Sequence, residues 1–102
     1  MLHPIFEEKL PEVKRLLKEH HVKRAYAFGS VVNGKFTDKS DIDLLIAFDI
    51  SEPFDGYAQN FWDMQDKLKA LLNRNVDLVP EHTLSNKYFI DEMNKTKTLL
   101  YE

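Results

Sequence analysis

Apolar positions near the start of the chain recur at helical spacing. Between residues 5 and 20 they are Phe6, Leu10, Val13, Leu16 and Leu17, with charged residues on the other face. Pro11 would break a helix interior but suits a first turn. The pattern therefore predicts a helix that begins near Leu10 and ends near His20.

Short apolar runs further along predict strands at residues 22–28, 42–48, 76–79 and 99–101. Gly29 ends the first run and Pro80 stops the third. The second run is apolar on both faces apart from Asp43, which indicates a central strand that is covered on both sides.

Helical patterns separate these strands. Ser30 can cap a short helix over residues 31–33, and a polar loop follows at 35–40. A long amphipathic helix spans residues 57–73, and apolar residues at 88–93 predict a last helix. The order predicts an α/β fold of the mixed α+β kind, a small central sheet flanked by helices.

Length and composition narrow the class of protein. The 102 residues contain no linker composition, so residues 1–102 are expected to form one domain. The absence of cysteine excludes disulfides and thiolate sites and fits a cytoplasmic location. No apolar run has the length of a membrane span. The net charge of -3 gives no general affinity for nucleic acid, which is not expected as a direct ligand.

A phosphate site is suggested by the glycines after the first strand. Gly29 precedes Ser30 at a predicted helix start, where backbone N–H groups can bind an anion, and Gly34 follows. Lys35 and Lys39 lie in the next loop, within reach of a triphosphate. Turn glycines and solvated lysines are the commoner interpretation of such residues.

Three aspartates are candidates for metal binding. Asp41 and Asp43 are two residues apart, so they point to the same face of a strand, and one pKa should rise unless a cation lies between them. Mg²⁺ prefers such oxygen ligands. Asp77 can join them if its strand is adjacent, and three carboxylates could hold two metals. The alternatives are a solvated pair at a strand mouth and an edge strand with Asp77 facing water.

Aromatic residues cluster where the long helix begins. They are Phe54, Tyr57, Phe61 and Trp62. Because aromatic residues are enriched at interface centres, this loop and helix start are expected to contact a partner. His20 and His21 are interpreted as the polar end of the first helix rather than as ligands.

The combination of motifs resembles a known family. Gly29-Ser30, Gly34, Ser40-Asp41-Ile42-Asp43 and Asp77 are similar to the signature of the polymerase-beta-like nucleotidyltransferase superfamily. The short length and the ending at residues 99–102 resemble its smallest branch, the minimal nucleotidyltransferases. The motifs cover residues 20–80.

The resemblance implies a nucleotidyltransferase fold, dependence on Mg²⁺ (or Mn²⁺) and ATP as substrate. By position, Asp41, Asp43 and Asp77 would be the catalytic and metal-binding residues. The implied nucleotide-binding residues are Gly29, Ser30, Gly34, Lys35 and Ser40. Many relatives carry arginine where this chain has Asn33, which puts the affinity for nucleotide in question.

The resemblance also implies a partner. Members of this branch often act as antitoxins beside a HEPN-domain ribonuclease toxin, to which they attach AMP on a tyrosine. The first hypothesis is therefore protein adenylyl transfer within a toxin–antitoxin pair, as a homo- or hetero-oligomer. A binding module that neutralises its partner by occlusion is the alternative, and Asn33 favours it. Transfer to a small molecule such as an aminoglycoside is a third possibility.

Overall fold

The computed structural model describes residues 4–29, 37, 40–49 and 55–102. The helices are α1 (Pro4–Glu19), α2 (Tyr57–Leu72) and α3 (Lys87–Thr96), and a 3₁₀ turn covers Glu81–Thr83. The strands are β1 (Val22–Phe28), β2 (Ile42–Phe48), β3 (Val76–Pro80) and β4 (Thr98–Tyr101). The predicted α/β class is confirmed, and all four strands lie where the sequence predicts them. The helix expected at residues 31–33 falls outside the described residues.

The strands form one mixed sheet in the order β3-β2-β1-β4. β1 runs antiparallel to both β2 and β4, and β2 runs parallel to β3. β2 is internal and almost entirely buried, as its apolar sequence predicts. The parallel pairing places the starts of β2 and β3 side by side, so Asp43 and Asp77 lie at the same end of the two strands.

Helices cover both faces of this sheet. α1 and α2 bury the larger core against one face, through side chains that include Phe6, Val13, Leu17, Met64, Leu68 and Leu72. A smaller cluster on the other face joins Phe28 and Leu45 to Met93 of α3. None of the helices in the described ranges combines the length and apolar character needed to cross a bilayer.

The predicted start of the first helix is wrong, because α1 begins at Pro4 and holds Pro11 in its interior. An interior proline costs about 3 kcal/mol. Phe6 on the added turns is 0% exposed, and full burial of such a side chain stabilises by about 1.5–3 kcal/mol. Pro4 also suits the first turn, where its missing N–H has no helical partner. Core packing thus offsets the cost of Pro11, which itself lies at the exposed surface.

His20 does lie at the end of α1, but it is buried rather than part of a polar terminus. Its side chain is hydrogen-bonded through Nδ1 to the Leu16 carbonyl oxygen at 2.8 Å and through Nε2 to Asp63 Oδ2 at 2.7 Å. Asn60 of α2 donates to the His20 carbonyl oxygen at 2.9 Å. These bonds join α1 to α2, so His20 has a structural role.

The aromatic cluster at the start of α2 is divided between core and surface. Tyr57 and Phe61 are stacked at 6.4 Å and pack against the main core. Trp62 is 65% exposed. Phe54 lies outside the described residues. The partner surface that was predicted from these four aromatics stays a prediction, and it now depends mainly on Trp62.

Candidate active site

Asp43 and Asp77 are brought together by the parallel pairing of β2 and β3. They are direct register partners, and their side chains share a hydrogen bond. Leu45 and Val79, two residues further along each strand, belong to the apolar cluster beneath α3, so both aspartates lie on that face of the sheet. β3 lies at the edge of the described sheet and Asp77 is solvent-exposed, as one of the two alternatives expected, and Asp77 is also adjacent to Asp43, as the other expected.

The environment of Asp43 disfavours its charge. Partial burial, then the neighbouring Asp77 carboxylate and the hydrogen bond to it, then Asp41 raise the pKa of Asp43 to about 6. Asp41 lies exposed just before β2 begins. Burial is the largest cause of the raised pKa of Asp43, and the repulsion that the sequence predicts between these aspartates adds to it.

Two aromatic residues lie on the β1 and α3 side of Asp43. Phe28 of β1 is the register partner of Asp43, and the ring of Phe89 in α3 packs edge-on against Phe28 at 6.1 Å. Phe28 is buried, whereas Phe89 is 40% exposed. Neither residue was singled out from the sequence, because Phe89 lies 46 positions away from Asp43 and only the fold brings them together.

Gly29 makes room for the Asp43 carboxylate. A Cβ atom at Gly29 would lie 2.5 Å from Asp43 Oδ2, closer than real contacts allow. The backbone there has φ +75°, in the left-handed region that glycine favours. The sequence assigned Gly29 to phosphate binding. The geometry adds a second role, because a residue without a side chain lets the end of β1 approach the Asp43 carboxylate.

The donor chemistry at this end of β2 and β3 fits a hard divalent cation. Asp41, Asp43 and Asp77 offer carboxylate oxygens, and a cation would relieve the repulsion that raises the pKa of Asp43. Within the described ranges, no three acidic, histidine or cysteine side chains converge into a ready-made cation site. Water and substrate phosphates would complete the coordination, as they usually do for Mg²⁺.

Several residues predicted to bind nucleotide fall outside the described ranges. They are Ser30, Gly34 and Lys35, together with Asn33 and Lys39. Ser40 is described, and its hydroxyl closes a turn by accepting from the Thr37 backbone N–H at 2.9 Å. The assignment of these residues to phosphate binding stays a prediction.

Arg74 and Asn75, in the turn between α2 and β3, contact the segment around Asp41 and were missed by sequence reasoning. Arg74 Nη1 donates to the carbonyl oxygens of Thr37 at 3.1 Å and of Ser40 at 3.2 Å. The Asn75 carbonyl oxygen accepts from the Ile42 N–H at 3.0 Å. A lone arginine after a helix carries no sequence signal, because its partners are backbone atoms 34 or more positions away.

The raised pKa of Asp43 predicts how stability depends on pH without metal. Its folded value of about 6 exceeds the ordinary 3.8, so the folded state keeps a proton that the unfolded state releases. The retained proton raises the free energy of unfolding at low pH, and this gain is lost as pH rises from about 4 to about 6. In EDTA, we expect the Tm of the wild type relative to Asp43→Asn to fall across this range. A constant difference between the two proteins would contradict the prediction.

Comparison with known proteins shows the family. A sequence model of the nucleotidyltransferase domain family matches residues 7–99. A protein of Methanocaldococcus jannaschii named "putative protein adenylyltransferase" is 37% identical over 76 residues, which are 74% of this chain and 74% of that protein. The chain therefore belongs to the nucleotidyltransferase domain family. It is a nucleotidyltransferase, an enzyme that uses a nucleoside triphosphate as substrate.

Solved structures share the fold. A protein named "putative minimal nucleotidyltransferase" superposes with a TM-score of 0.74 at 27% identity, covering 91% of this chain and 90% of that one. A toxin–antitoxin complex with AMP-PNP gives 0.72 at 24% identity, with coverage of 90% and 72%. A complex of the tri-AMPylated Shewanella oneidensis HEPN toxin with its MNT antitoxin gives 0.67 at 20%, with coverage of 93% and 71%. The likeness to the two complexes shows the fold alone.

Proposed function

We propose that this nucleotidyltransferase transfers AMP from ATP to a tyrosine hydroxyl of a HEPN-type toxin, in a reaction that needs Mg²⁺, and that it is the antitoxin of that pair. The observation that carries the proposal is the juxtaposition of Asp43 and Asp77 beside Gly29. In a member of the nucleotidyltransferase family, paired carboxylates near the starts of two adjacent strands supply the metal ligands that nucleotidyl transfer needs.

Each carboxylate has a role in the proposed step. Asp41 and Asp43 would hold Mg²⁺, which when bound neutralises charge on the triphosphate. The acceptor hydroxyl oxygen attacks the α-phosphorus of ATP, the bond from that phosphorus to the oxygen bridging to the β-phosphate breaks, and pyrophosphate leaves. The exposed Asp77 takes the proton of the hydroxyl. The buried Phe28, the register partner of Asp43, would limit the access of water to Asp43 from β1.

The choice of acceptor draws support from relatives. The M. jannaschii relative carries the name of a protein adenylyltransferase. The Shewanella complex pairs an MNT antitoxin with an AMPylated HEPN toxin. The exposed Trp62 offers an anchor of the kind found at the centre of protein interfaces. These points favour a protein hydroxyl over a small molecule.

The test is transfer of radiolabel from [α-³²P]ATP to the protein encoded beside this chain. We expect labelling of that partner with Mg²⁺ or Mn²⁺ and none with EDTA. Mass spectrometry should then find AMP on a tyrosine. Transfer of label to the partner after complete removal of divalent cations would contradict the role given to Asp41 and Asp43.

The same assay separates the alternatives. The partner could instead form a stoichiometric complex and lose its toxic activity without being labelled. That result would replace the proposal with neutralisation by occlusion. Labelling of an aminoglycoside but not of a protein would replace it with small-molecule transfer.

A further inference from the structure

The backbone around Asp41 is held on both sides by the turn between α2 and β3. The carbonyl oxygen of Ser40, directly before Asp41, accepts from Arg74 Nη1 at 3.2 Å. The N–H of Ile42, directly after Asp41, donates to the carbonyl oxygen of Asn75 at 3.0 Å. Asp41 precedes the first residue of β2, so these bonds, rather than its own place in the strand, fix its backbone.

The same arginine also holds the turn that leads into Asp41. Ser40 N–H donates to the Thr37 carbonyl oxygen at 3.0 Å, and Thr37 N–H donates back to Ser40 Oγ at 2.9 Å. Arg74 Nη1 donates to that Thr37 carbonyl oxygen as well, at 3.1 Å. Hydrogen bonds from a charged donor are stronger than neutral ones. A single guanidinium thus fixes both ends of the turn.

The position of Arg74 also links the two strands that carry the carboxylates. Asp77 follows Arg74 by three residues, and Asp77 lies beside Asp43 in the β2–β3 register. Asn73, before Arg74, adopts a left-handed conformation with φ 54° that turns the chain from α2 toward β3. Arg74 thus connects the backbone beside Asp41 to the turn that leads into the strand of Asp77.

We propose that Arg74 is a positioning residue, which sets the location of Asp41 relative to Asp43 and so determines the affinity of the site for a divalent cation. The proposal rests on the proposed function, in which these carboxylates bind the cation. The hydrogen bonds from Arg74 Nη1 go to the backbone carbonyl oxygens of Thr37 and Ser40 rather than to a carboxylate of the site. Arg74 acts through the Ser40 carbonyl oxygen, one peptide bond away from Asp41.

Arg24 provides a matched control. It is also a partly exposed arginine with two hydrogen bonds, from Nε to Glu81 Oε1 at 3.2 Å and from Nη2 to Glu81 Oε2 at 2.7 Å. It pairs with Ala47, four residues along β2 from Asp43. Its loss should cost stability without moving the carboxylates.

The experiment compares Arg74→Met, Arg74→Lys and Arg24→Met with the wild type in two measurements. Amide hydrogen exchange reports whether the Ile42 N–H stays protected, and titration with Mn²⁺ alone reports cation affinity. We expect Arg74→Met to speed exchange at Ile42 by roughly 10-fold, because the neighbouring Ser40 carbonyl oxygen loses its charged donor and the Ile42–Asn75 hydrogen bond then opens more often. Its Mn²⁺ affinity should fall by roughly 10–100-fold, the effect of losing a partner that orients a metal ligand. Arg74→Lys should lie in between, and Arg24→Met should change neither quantity.

Wild-type Mn²⁺ affinity in folded Arg74→Met would overturn the proposal, even if the Ile42 amide exchanged faster. So would an equal loss of affinity in Arg24→Met. If the wild type binds Mn²⁺ and Arg74→Met does not, but no AMP is transferred to any protein, the proposed function fails while the role of Arg74 stands. A wild type that binds no Mn²⁺ would overturn both.

Discussion

We expect Asp43→Asn to lose AMP transfer while keeping its fold. Asparagine has nearly the same shape as aspartate, so the packing beside Phe28 and Gly29 is preserved. It has no negative charge with which to hold a cation. Loss of a residue that merely orients a metal ligand typically costs about 10–100-fold, and loss of a ligand itself should cost more. Transfer of label to the partner should fall by at least about 100-fold.

Stability should change in the opposite direction. The negative charge of Asp43 is opposed by partial burial, by Asp77 and by Asp41, so its removal relieves these costs. Above about pH 6, the metal-free variant should therefore melt at the same temperature as the wild type or at a higher one. Mg²⁺ with a non-hydrolysable ATP analogue should raise the Tm of the wild type and raise that of the variant much less.

Asp66→Asn is the matched control for this prediction. Asp66 is an exposed aspartate on α2, which packs on the opposite face of the sheet from Asp43. It should transfer AMP as the wild type does. Wild-type transfer by Asp43→Asn would refute the proposed cation site, and a collapse of its fold would show that Asp43 is needed for folding.

The strands could be predicted from the sequence because their signals are local. The run at residues 42–48 is apolar at every position except Asp43, and only a central strand covered by helices buries both faces of such a run. The spacing of Asp41 and Asp43 predicted a shared face of one strand, but β2 begins at Ile42, so Asp41 lies just before the strand and its shared face with Asp43 stays a prediction. The parallel pairing that brings Asp77 beside them depends on the topology of the whole sheet.

The features that were missed depend on contacts between distant segments. The start of α1 was misplaced because the local penalty of Pro11 is visible in the sequence, whereas the burial of Phe6 that offsets it is not. Arg74 was missed because it binds backbone carbonyl oxygens, which every residue has. The close approach of Gly29 to Asp43 likewise arises only where β1 and β2 pair.

The close approach of Gly29 to Asp43 predicts a second large effect, the loss of AMP transfer in Gly29→Ala. An added Cβ would lie 2.5 Å from Asp43 Oδ2, so the carboxylate must turn away from its present position. Misplacement of a reacting or binding group by about 1 Å can cost about 100-fold in rate. AMP transfer should therefore fall by about 100-fold. The positive φ should also lower the free energy of unfolding by about 1–2 kcal/mol, measured by urea denaturation.

Gly56→Ala separates the two causes. Gly56 has φ +77°, almost the same as Gly29, but nothing lies within 4 Å of the position that its Cβ would take. Both variants should therefore lose the stability that the backbone strain costs, and Gly29→Ala also has the clash with Asp43. Only Gly29→Ala should lose transfer and Mn²⁺ binding, because only its methyl group displaces the Asp43 carboxylate. If the two folded variants transferred AMP equally well, the space that Gly29 leaves for the Asp43 carboxylate would not be needed for activity.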